Sequence, residues 1–144
     1  MFNHLNIKIM KKTLLFSVTF VIALFFVTNS YSQEKKPWTV PDKYKAMKST
    51  VKAGDASALA TGKELWAKYC KACHGSKGLG DGPKAAMMKT PMDDFSSASF
   101  QKYTDGDLYY MSFVGRGEMP NFEKKIIAEA DRWALVAFMR TLKK

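Results

Sequence analysis

From residue 57 onward the apolar positions fall on helical spacing in three stretches, separated by segments whose composition does not favour regular structure. Leu65, Trp66, Tyr69 and Cys73 recur about once per helical turn, the period of one α-helical face, and predict a helix over about 57–73. Thr61 and Glu64 stand at capping-box spacing, and Ser57 offers a slightly earlier start. Gly62 lies inside this stretch. Glycine costs about 1 kcal/mol against alanine in a helix interior, so it marks either a close helix crossing or a position beside the cap. Leu108 and Met111, with Tyr109 beside them, predict a second helix over about 107–114, capped by Thr104 or Asp105. Trp133, Leu135, Val136, Phe138, Met139 and Leu142 predict a last helix over about 129–142. Its apolar surface is wide, as suits a helix packed against more than one neighbour. No strand pattern, repeat or second domain is visible, and the fold class is all-α.

The intervening segments follow from their turn residues. Gly75, Gly78, Gly80 and Gly82 crowd residues 75–83, making a tight loop whose backbone can pass close to a flat ligand. It neither follows a strand nor ends in lysine and a hydroxyl residue, which excludes a phosphate loop. Residues 84–89 read as a short helix with Met87 and Met88 towards the core, and 91–95 as a polar turn ending in the anchor Phe95. Gly115, Arg116 and Gly117 stop the second helix, and Glu118, Met119 and Pro120 follow as a non-helical strap. Before residue 57 the chain is Lys-rich, with Pro37 and Pro41 and little periodicity; residues 33–56 read as an extended or poorly ordered arm that Trp38 and Tyr44 pin to the domain.

The N-terminal segment is set apart by its charge and hydropathy. Lys8, Lys11 and Lys12 precede an apolar run over 14–27, and Ser30-Tyr31-Ser32 offers a small-x-small cleavage point, the organisation of a signal peptide over 1–32. An export signal implies a periplasmic protein, membrane-anchored if the segment is retained. The run is short against the roughly 20 apolar residues of a bilayer crossing. The domain expected is 57–144. The formal charge of the whole chain is +10, and the basic residues are interspersed with acids, without a nucleic-acid-binding motif; nucleic acid is excluded as a partner. A basic surface suits docking to acidic patches on protein partners.

The candidate chemistry sits at the end of the first helix. Cys70-Lys71-Ala72-Cys73-His74 has the spacing of a c-type haem attachment site: the two thiols add to the porphyrin vinyl groups as thioethers, and His74 becomes the proximal iron ligand. The competing readings are a redox dithiol and half of a zinc site. In an exported chain two free thiols tend to pair, whereas one covalent haem c consumes both. His4 lies in the leader, so no second histidine of the exported chain is left for the iron. The sixth ligand then comes from Met87, Met88, Met92, Met111, Met119 or Met139, or from a lysine. Met119 is chosen because its strap, between Gly117 and Pro120, frees the backbone to aim one side chain inward.

These residues resemble the class I cytochromes c, small bacterial monohaem carriers, over about 59–142. Gly62 and Trp66, leading into Cys70, Cys73 and His74, match the glycine and aromatic of that family's N-terminal helix, and Leu135 and Phe138 match its partner helix. The resemblance implies a fold of three to five helices around one covalently attached haem, His74/Met119 ligation, and a carbonyl at Pro83 that accepts from His74. It implies electron transfer between respiratory partners rather than enzyme catalysis, with a haem-bearing subunit of a larger membrane respiratory complex as the alternative. A haem enzyme or gas sensor with an open sixth site is the more distant alternative. Haem attachment also implies the cytochrome c maturation machinery as a partner.

Overall fold

The structure is a computed structural model that describes residues 36–144; the expected signal segment and its cleavage point lie outside the described residues. Among the described residues the regular structure is helical, with one isolated β-bridge between Arg116 and Met119. Helix α1, Asp42–Lys45, is a single turn. Helix α2, Ala56–Leu65, runs on through a π-turn, Trp66–Cys70, into α3, Lys71–His74. Single 3-10 turns follow at Ala85–Met87 and Phe100–Lys102, then α4, Asp105–Phe113, and α5, Glu129–Thr141. No helix among the described residues is long and apolar enough to cross a membrane.

Two of the expected boundaries shift for identifiable reasons. Helix α2 is capped by Asp55, whose carboxylate accepts from the Ala58 N–H at 3.0 Å, and neither Ser57 nor Thr61 serves as the cap. An acidic residue one step before the first helical turn satisfies an otherwise orphaned N–H, and Asp55 reaches it first. The π-turn was not legible in the apolar spacing, because a single widened turn inside a continuous helix is too short to set a period of its own. Thr104 caps α4 as expected, in a reciprocal capping box with Asp107.

Helices α2 and α5 cross at Gly62. A Cβ there would collide with the Ala134 carbonyl oxygen and stand 2.7 Å from the Phe138 Cβ. The missing side chain is therefore what permits the backbones to meet. Trp133, Leu135, Val136 and Met139 of α5 are buried, and join Trp66, Phe95, Phe100, Leu108, Tyr109 and Phe113 in one core. Two arginines of α5 tie loops to it. Arg132 donates to the Glu123 and Ile126 carbonyls and to the Tyr109 hydroxyl. Arg140 donates to Asp105 and to the Gln101 and Tyr103 carbonyls.

Residues 36–53 pack over α4. Val40 is buried, Tyr44 lies against Tyr110 with ring centroids 4.8 Å apart, and Trp38 meets Tyr110 edge-on at 6.4 Å. Gly106 of α4 leaves no room for a side chain beside the Tyr44 carbonyl. Trp38 and Tyr44, the two aromatics expected to pin the arm, both make this contact through Tyr110.

Candidate functional site

The end of α3 is finished by the loop that follows it. Three carbonyls in the last helical turn, which have no partner within a helix, are taken up by returning N–H groups. Lys84 donates to Ala72 at 2.8 Å, Gly82 to Cys73 at 3.2 Å and Gly80 to His74 at 3.0 Å. The approach is close enough that a Cβ on Gly82 would stand 2.6 Å from the Ala72 carbonyl oxygen. Gly75, Gly78 and Gly80 all adopt positive φ, which glycine alone takes at little cost.

The His74 ring lies in an aromatic wall, with centroids 4.8 Å from Phe95 and 5.9 Å from Trp66. Trp66 is itself fastened, its indole N–H donating to the Gly75 carbonyl at 3.0 Å. Cys70 is buried within the core and Cys73 is half-buried; the two sulfurs are not bridged. Burial, and secondarily the neighbouring Cys73, pushes the Cys70 thiol up to about 12. A dithiol oxidoreductase needs the opposite, a thiol whose pKa is depressed. Among the described residues no three His, Cys, Asp or Glu side chains converge as a metal cluster. The donor set that is present fits one covalently bound haem c: two unbridged thiols on one helix end, an imidazole directly after them and a thioether against the same core.

That thioether is Met119, half-buried and packed against the core that contains Cys70. Its strap is a tight reverse turn. Arg116 and Met119 exchange both backbone hydrogen bonds, at 2.9 and 3.0 Å, and Gly117 takes φ 59°, as a glycine-first hairpin turn requires. The Phe122 N–H then returns to the Phe113 carbonyl at 3.0 Å, closing the strap on α4. The other methionines are differently placed. Met111 and Met139 are buried in the helix core, and the Met139 sulfur lies 3.8 Å from the Ser112 hydroxyl that points to it. Met87 is 75% exposed, contrary to the expected inward face. Its 3-10 turn is too short to present an apolar stripe. Pro83 is exposed beside Gly82.

Two residues that the sequence reading left unassigned flank Gly117. Arg116 donates to the Pro37 and Lys36 carbonyls, both at 2.7 Å, and its guanidinium lies 4.1 Å from the Trp38 ring centroid. The Glu118 carboxylate accepts from the Lys89 and Thr90 N–H groups at 3.0 Å, which lowers its pKa. The only signal in the sequence was a pair of opposite charges placed around a turn glycine.

A family model described as cytochrome C oxidase, cbb3-type, subunit III matches residues 57–139. No curated protein matches the chain. Among solved structures, a chain of the Kuenenia stuttgartiensis reducing HAO-like protein complex is similar with a TM-score of 0.58 and 23% identity, over 78% of this chain and 53% of that one. The present chain thus spans about half the length of that relative, and the likeness is one of fold. With the attachment motif at the end of α3 and the match running from α2 into α5, this chain carries a c-type cytochrome domain and belongs to the family of cytochrome C oxidase, cbb3-type, subunit III.

Proposed function

We propose that the chain is a haem-bearing electron-transfer subunit of a larger respiratory complex, with His74 and Met119 as the two axial ligands and Cys70 and Cys73 as the attachment points. The observation that carries this reading is the family match across the whole helical domain, whose description names a subunit of an oxidase. It favours the subunit over the free shuttle that the sequence resemblance put first. The close α2–α5 crossing at Gly62 supports the narrower class I assignment.

The bound haem supplies a one-electron ferric/ferrous couple. The protein residues hold its surroundings constant. Trp66 and Phe95 restrict the imidazole plane of His74, and the returning loop secures the helix end that bears it. Pro83 is the proposed carbonyl partner of His74, a bond that would orient the ring and raise its basicity. Met119 contributes a thioether, which carries no proton; ligation at that atom is therefore not coupled to proton uptake, and it favours reduced iron relative to a second imidazole. The proposed role is that of an electron carrier within such an assembly, as the family description supports. Lys71, Lys77, Lys84 and Lys89 are all exposed around the attachment loop, and suit an acidic docking face on the electron partner. The domain is exported to the periplasmic side, anchored if its N-terminal apolar segment is retained.

Two measurements test this. Ferric spectra of the haem-loaded protein and of Met119→Ala are expected to differ by loss of the weak band near ~700 nm that marks sulfur ligation; an unchanged spectrum overturns Met119. Solubilised membranes of the native host, separated under non-denaturing conditions, are expected to carry the chain in a haem-staining band together with oxidase activity. Recovery of the chain solely as a free monomer overturns the subunit reading.

A further inference from the structure

We propose that Arg116 and Glu118 are positioning residues for Met119, tethering its strap in opposite directions: Arg116 to the arm before the domain, Glu118 to the backbone at 89–90. The inference rests on Met119 as the distal ligand and extends that reading to the residues that hold it there.

The strap has little intrinsic support. It is a four-residue turn, 116–119, with glycine within it at 117 and just before it at 115, and its internal bonds are the single pair between Arg116 and Met119. An isolated hairpin of this size is not stable by itself. Its two charged residues, however, both point outward to remote backbone and not to each other. Arg116 uses its planar fork on two consecutive carbonyls, Lys36 and Pro37, while its face covers the Trp38 ring; a lysine cannot reproduce that two-point contact. Trp38 is in turn held edge-on by Tyr110 of α4. Glu118 takes both the Lys89 and Thr90 N–H groups, and so joins the strap to the segment that leaves the attachment loop. Because Arg116 and Met119 are bonded through their backbones in both directions, displacement of Arg116 moves Met119. The arm, which the sequence left without a role, thereby becomes part of the ligand's support.

The test uses the full chain, matured with haem, as Arg116→Ala, Arg116→Lys, Glu118→Ala and the double alanine variant. Covalent haem content by mass and helical circular dichroism serve as controls and are expected to match the native protein. Added imidazole competes with the distal ligand, and its affinity reads how firmly the strap is held. Arg116→Ala is expected to bind imidazole about tenfold more tightly than native, Glu118→Ala several-fold, and the double variant more than either. Arg116→Lys is expected to fall between native and alanine. Amide exchange at Arg116 and Met119 supplies a readout independent of the iron, and is expected to speed up in each alanine variant. Native-like imidazole affinity and native-like exchange in the double variant overturn the proposal. If Met119→Ala keeps the ~700 nm band, the ligand assignment fails instead, and the amide exchange alone decides whether the tethers hold the strap.

Discussion

The attachment side and the strap side of the site are held by opposite means. Around Cys70, Cys73 and His74 the contacts are dense and buried, and close in sequence: a loop of residues 75–84 folds back on the carbonyls of 72–74, and Trp66 is fastened to Gly75. Helix α2 behind them presses on α5 with no space for a methyl group. Around Met119 the turn is held by two exposed side chains that reach backbone far away in the chain, at 36–37 and at 89–90. Buried close packing resists change because any displaced atom meets another. Exposed hydrogen bonds compete with water and are individually weak. With Met119 as the proposed ligand, the comparison separates two quantities that experiment can read apart: fold stability, set at the helix crossing, and ligand placement, which we propose the tethers set.

The sharpest way to break that division is Gly62→Ala. In an ordinary helix interior this change stabilises by about 1 kcal/mol. At this crossing the added methyl strikes the Ala134 carbonyl, and a loss of about 3 kcal/mol is expected in denaturant unfolding. A variant as stable as native would show that the crossing is not closely packed. Trp66→Phe comes next. It keeps the aromatic wall beside His74 but leaves the Gly75 carbonyl without the indole N–H, and an unfolding loss of about 1–2 kcal/mol is expected. Amide exchange at residues 116–119 should stay as in the native protein; if it rises as well, the two sides are coupled.

The smallest effect concerns pH at the edge of the attachment side. The Asp94 carboxylate accepts from the Ser96 N–H at 2.9 Å and from its hydroxyl at 2.6 Å. These bonds lower its pKa in the folded state. A depressed carboxyl pKa contributes stability above its unfolded value, which is lost as pH falls through the folded value. Asp94→Ala is therefore expected to be slightly less stable than native near neutrality and equal to it in strong acid, as read by denaturation midpoints across that range. A difference that persists unchanged into acid would assign the effect to packing at the Phe95 turn and not to charge.

Much of the attachment side was legible because its signals are local. Cys70, Cys73 and His74 fall close together in one short stretch, the capping box of Thr104 and Asp107 lies within one turn, and Gly62 stands out against a helical pattern. The α2 cap and the π-turn were missed for a local reason too, since Asp55, Ser57 and Thr61 all have capping chemistry and only geometry selects among them. Met87 was misread because a stretch of six residues gives too little periodicity to distinguish a face from a turn.

The chain's own order of residues determined the class of fold and the cofactor, and it marks the proposed point of attachment. Each of these depends on side chains near one another in sequence, whose spacing is set by the helical repeat and by covalent geometry. Only the tertiary structure decided what supports Met119. Arg116 meets Lys36 and Pro37 across the molecule, and Glu118 meets 89–90. The backbone partners of these side chains carry no residue-specific mark in the sequence, because every residue bears a carbonyl and nearly every one an N–H.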